Sequence, residues 1–206
     1  MLEQSDKLEV TQYSIAGGNW NSQYQILSDN TPIYHVENTS PSSDKPELTF
    51  YTGNSTKGPV AGNGKYIRFS SDVKINLGDP DNADTIRTTL SKKGFLSPRH
   101  SFSMDLHGEN RTFTWKNTES HESFGPTGSY KMVDEGNQVV AVLCPGGGRV
   151  QKDGYVNVYV FWGEGFDLMV LVTALVLREK TRREKGETTY LGAGVSPAGG
   201  SPAPGF

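Results

Sequence analysis

"GFDLMVLVTALVLREKTRREK", Gly165 to Lys185, is the stretch on which the fold turns. Asp167 is placed to cap a helix and Phe166 ahead of it to staple onto Leu171. Lys and Arg crowd the far end, so residues 167–185 read as one helix that Gly186 can stop. From Leu168 to Leu177 this helix offers Leu, Met, Val and Ala around its whole circumference, with Thr173 as the polar interruption. A helix apolar all round must be enclosed, either by a bilayer or by the middle of a folded structure. A bilayer span needs ~20 mostly apolar residues, and this run reaches Arg178 after about half that. Extending it backwards takes in Glu164 and Asp167, and an Asp near the centre of a span costs about 2.5–3.5 kcal/mol. A protein interior is therefore the expected enclosure.

Upstream, from Tyr24 to Phe161, the dominant period is two. In "SFSMDLH", Phe102, Met104 and Leu106 share one face, while Ser101, Ser103, Asp105 and His107 share the other. The same alternation sets Val73, Ile75 and Leu77 opposite Asp72, Lys74 and Asn76, and groups Phe113 with Trp115. "HGEN" links the strand at 101–107 to "RTFTWKN", "DEGN" links "YKMV" to "QVVAVL", and "DNT" links "YQILS" to "PIYHVE". The last strand, "YVNVYVF", is expected from Tyr155 to Phe161, with Val156, Val158 and Val160 on one face. Such segments number about twelve, which makes the fold mainly β and a barrel or a sandwich.

A length of 206 residues suits one domain. The net charge of -3 and pI of about 5.8 create no global field toward nucleic acid, so no nucleic-acid partner is expected and any basic site must be local. The single Cys144 excludes an internal disulfide, and "MLEQSDKLEV" lacks the apolar core of a secretory signal, so a cytoplasmic protein is expected. Without such a signal the sequons at Asn38, Asn54 and Asn110 are expected to stay unmodified. Residues 1–19 are expected to be a flexible N-terminal segment, and the Gly/Pro/Ser-rich residues 186–206 a disordered tail.

A chain of about twelve short antiparallel strands ending in one hydrophobic helix resembles the tubby C-terminal-like superfamily. That group takes in tubby domains, phospholipid scramblases and plant LURP-one-related proteins. "KYIRFSSDVKINLGDP" (Lys65–Pro80) and "GFDLMVLVTALVLREK" (Gly165–Lys180) look most like its uncharacterised fungal members, and the resemblance covers Trp20 to Lys185. It implies a closed antiparallel β-barrel of about twelve strands over residues 20–185, wrapped around the hydrophobic C-terminal α-helix. It also implies a non-enzymatic binding or scaffold module that recognises phosphoinositide or an anionic membrane surface, peripheral to membranes. A second expectation from the same resemblance is a membrane-attached, scramblase-like protein with its C-terminal helix in lipid.

The motifs for other chemistries fail on spacing. In "GPVAGNGKY" a phosphate loop would need Gly where Pro59 stands and a hydroxyl where Tyr66 stands, so "AGNGKY" and "LCPGGGRV" are read as turns. "DPDNAD" lacks the Gly at Asp84 and the Glu at Leu90 that a calcium loop starting at Asp79 requires. His35, His100, His107 and His121 are scattered with no zinc-ligand spacing, Cys144 is read as a buried or idle thiol, and no Ser elbow is present. No cofactor or metal is expected. The remaining signal is basic: Lys65, Arg68 and Lys74 lie in or beside adjacent strands, followed by Lys92, Lys93 and Arg99 in a Gly/Pro-broken segment. Clustered at one end of a barrel, Lys65, Arg68 and Lys74 would bind a phosphorylated headgroup.

Overall fold

The computed structural model describes residues 10–17, 23–39, 45–79, 82–94, 99–118, 129–145 and 154–184. Twelve strands lie among them: β1 (Thr11–Gly17), β2 (Gln23–Ser28), β3 (Thr31–Asn38), β4 (Leu48–Thr52), β5 (Val60–Tyr66) and β6 (Val73–Leu77), then β7 (Ile86–Lys93), β8 (Arg99–Leu106), β9 (Glu109–Asn117), β10 (Tyr130–Val133), β11 (Val139–Cys144) and β12 (Gly154–Val158). Each pairs antiparallel with its sequence neighbours, and β1 closes the barrel on β12, with Thr11 opposite Val158 and Ile15 opposite Gly154. Closure leaves no strand edge open. The fold is therefore the closed antiparallel barrel expected, with one helix, α1 (Glu164–Glu184), packed inside it.

The period-two faces fall where the alternation places them. Phe102, Met104, Leu106, Val73, Ile75, Leu77, Phe113, Trp115, Val156 and Val158 are all buried and join one core with α1. Two-residue turns at Asp29–Asn30 and His107–Gly108 have positive φ at both positions, the mirror-image geometry that suits the right-handed strand twist. Residues Met169 to Leu177 of α1 are buried without a break, so the helix has no wet face over its middle. Its polar interruption is satisfied: the Thr173 hydroxyl accepts the Trp115 indole N–H at 3.0 Å and donates to the Met169 carbonyl at 2.8 Å. Among the described residues no helix is long and apolar enough to cross a membrane. The buried residues of α1 join one core with the strands around it.

Several expectations need correction. The first nineteen residues are not all a flexible segment, because Thr11–Gly17 forms β1, the strand that closes the barrel; the rest of 1–19 apart from Val10 lies outside the described residues, as do 185–206. The helix begins at Glu164 rather than at 167. Gly163, at φ +96°, supplies the carbonyl that takes the first helical hydrogen bonds, so Asp167 is not the cap. Phe166 packs on Trp162 and Phe113, with ring centroids 4.9 and 5.3 Å apart. The final strand ends at Val158, and Phe161 is exposed. "AGNGKY" is not a turn but most of β5, whose glycines let the helix approach. A Cβ on Gly64 would sit 2.6 Å from Cγ2 of Val176, and one on Gly62 would sit 3.4 Å from Cγ2 of Val172.

Candidate functional site at the basic mouth

The barrel mouth at the C-terminal end of α1 gathers the basic residues. Lys65 and Lys74 face each other directly across β5 and β6, and both are exposed. The connecting turn, residues 67–72, is held by the Ile67 N–H on the Asp72 carbonyl (3.1 Å) and the Ser70 N–H on the Ile67 carbonyl (3.1 Å). Arg68 and Phe69 stand at its tip, and Phe69, in the left-handed region at φ +60°, is wholly exposed. A non-glycine residue there costs of order 1 kcal/mol, so the turn holds its aromatic ring outward at some expense.

Of the acids between these bases in sequence, Asp72 lies in the same turn, whereas Asp79 and Asp84 lie away from it. Asp72 is engaged with backbone: its Oδ1 accepts the Lys92 N–H at 3.0 Å. Asp79 and Asp84 lie beyond the opposite end of β6. From Lys74 to Asp79 is on the order of 15 Å of extended chain, more than a Debye length of about 8–10 Å in ordinary salt. Within their turn the Asp84 N–H donates to the Asn82 side chain (3.1 Å) and the Thr85 hydroxyl to the Asp79 carbonyl. Among the described residues no three His, Cys, Asp or Glu are grouped to hold a metal.

Beside the turn, Lys92 pairs with His100 and Lys93 with Arg99 across β7 and β8, so these bases lie in strands rather than in a broken segment. Lys92, His100, Lys180 and Glu184 line a cavity of about 60 Å³. His100 is 8% exposed, and neither ring nitrogen has a hydrogen-bond partner. Burial, with Lys180 and Lys92 nearby, pushes its pKa down to about 4. The Lys180 ammonium donates to the Ser71 carbonyl, tying α1 to the turn, and burial holds it below its ordinary pKa.

The arginines of α1 serve a different purpose. Glu179 is fully buried and accepts hydrogen bonds from Tyr24, Asn38 (2.8 Å) and Arg182 (2.8 Å). Burial pushes its carboxyl up, but hydrogen bonds from Arg182 and Tyr24 outweigh that and hold it below the ordinary carboxylate range. Arg178 lies over the Tyr24 ring, and Arg183 over Tyr66 while it donates to Asn38 (2.9 Å). These contacts lock the helix end into the barrel. They also engage the Asn38 side chain within the protein.

The structure thus sets Lys65 and Lys74 side by side with Arg68 on the turn that joins their strands. Sequence reasoning missed Phe69, His100 and Lys180. Only an aromatic beside Arg68 in a polar turn signalled Phe69, and nothing in the sequence linked His100 to Lys180. His121 lies outside the described residues, and Cys144 is buried. The chain matches no protein-family model, no curated protein and no solved structure.

Proposed function

We propose that this is a non-enzymatic binding module of the tubby-like class. It seats on anionic, phosphoinositide-bearing membrane at the cytoplasmic face, with the turn between β5 and β6 leading. The observation that carries this reading is Phe69, wholly exposed at the tip of a turn flanked by Arg68, Lys65 and Lys74. An aromatic ring in water gains roughly 1.5–3 kcal/mol on burial, and each basic residue near an anionic surface adds about 1 kcal/mol. Neither signal holds a protein firmly alone, and together they give reversible docking.

Co-sedimentation with phosphatidylcholine vesicles, with and without phosphatidylinositol bisphosphate, tests this. Replacing Lys65, Arg68 and Lys74 together by Ala should weaken binding on the order of 100-fold. Phe69→Ser should weaken it by about 10-fold or more, and rising salt should weaken the parent chain. Binding indifferent to the triple change and to salt, or no preference for the charged vesicles, rules the reading out.

A further inference from the structure

The opposite mouth of the barrel, where α1 begins, carries a site of different chemistry. A cavity of about 430 Å³ opens there between the first turns of α1 and strands β1 to β4. That volume lies within the ~300–1,000 Å³ range of small-molecule sites. Its walls are mixed: Ile33, Leu168 and Leu171 are apolar, Tyr13 and Tyr34 are aromatic with polar tips, and Asp167 and Glu164 supply the charge. Among the described residues that line it there is no Lys, Arg or His, and the two charged ones, Asp167 and Glu164, are acidic.

Asp167 is the informative group. It is 8% exposed, and its Oδ2 accepts the Tyr13 hydroxyl at 2.6 Å, but its Oδ1 has no hydrogen-bond partner. Buried carboxylate oxygens are normally satisfied, because leaving one unmatched forfeits its hydration with nothing in exchange. Burial pushes the Asp167 carboxyl up and the Glu164 charge pushes it further, with the Tyr13 hydrogen bond opposing both. Burial and the same two carboxyls also push the Tyr34 hydroxyl up. An anion at this helix N-terminus would meet two carboxylates, whereas a cation would be drawn to both. The tyrosine faces and apolar walls can cover a hydrocarbon group attached to that cation.

We propose that this cavity binds a small organic ammonium ion carrying an apolar group, held by the Asp167 carboxyl that lines it with Glu164 as a second negative charge at the rim. The site is independent of the membrane-docking reading and lies at the other end of the barrel.

Titration calorimetry on the full chain with phenethylammonium, butylammonium and cyclohexylammonium, and with neutral 2-phenylethanol, tests it. At least one ammonium ion should bind, phenethylammonium should exceed the alcohol by about 10-fold or more, and Asp167→Asn should abolish that preference. Glu164→Gln changes an exposed side chain and so tests the site without disturbing the core; it should weaken the ammonium about threefold or more and leave the alcohol unchanged. Equal affinity for alcohol and ammonium, a preference that survives Asp167→Asn or is undiminished by Glu164→Gln, or no ammonium binding up to about 10 mM overturns the proposal.

Discussion

Single residues at this barrel's mouths act through what surrounds them. His100 is the clearest case. Its folded pKa of about 4 lies below its ordinary 6.5, so the folded protein resists the proton that the unfolded chain accepts. The resulting stability is fully present above pH 6.5 and is lost as pH falls through that window toward 4. Asp167 acts with the opposite sign. Its raised pKa makes the folded state hold a proton more tightly, so its contribution is present at low pH and lost on the alkaline side. Glu179, held low, loses its contribution only below the ordinary carboxylate range. Melting curves should therefore show stability falling between pH 6.5 and 4, the limits set by His100, and His100→Gln should flatten that fall. An unchanged slope in the variant would show that His100 is solvated in the native protein.

At the scale of elements, α1 and β5 explain each other. The helix needs an apolar partner on every side, and β5 supplies its nearest wall by giving up side chains at Gly62 and Gly64. Glu179 and the arginines around it then fix the helix's depth in the barrel. A charge at Val172, a fully buried position, would be unpaired in that interior. The cost of several kcal/mol competes with the ~5–15 kcal/mol that holds a whole domain together. Val172→Asp, and a chain ending before Gly165, should both give insoluble or unfolded protein by circular dichroism and melting. A soluble, cooperatively melting protein lacking the helix would mean that the barrel packs its own core.

For the molecule as a whole, closure is the deciding feature. The pairing of β1 with β12 joins the two ends of the meander, and it takes every strand out of reach of edge-to-edge aggregation. Removing residues up to Gly17 deletes β1, exposes the edges of β2 and β12 and uncovers the Tyr13 and Ile15 positions of the core. Such a protein should form concentration-dependent oligomers in sedimentation velocity, with a melting temperature lowered by well over about 4–8 °C, the shift that 1 kcal/mol produces in a small domain. A monomer with the parent's melting curve would mean that β1 is dispensable and that the barrel closes without it.

Much of this architecture was legible in local sequence. Alternation in "SFSMDLH" and "DVKINL" reports which face of a strand is dry, and the unbroken apolar circumference of Leu168–Leu177 reports that a helix must be surrounded, because both are periodicities contained in a short window. Turn residues such as Asp29–Asn30 and His107–Gly108 act just as locally, through their tolerance of positive φ. Tertiary structure alone decided the rest: that β1 belongs to the barrel, that Gly62 and Gly64 seat a helix rather than make a turn, and that Asp167 is buried beside Tyr13 instead of capping. It likewise set Lys65 against Lys74 with Asp79 and Asp84 at the far end of β6. Each of these is a juxtaposition set by strand register, barrel closure and the depth of the helix. None of those quantities leaves a period in the chain, since each depends on how segments distant in sequence fill the same interior volume.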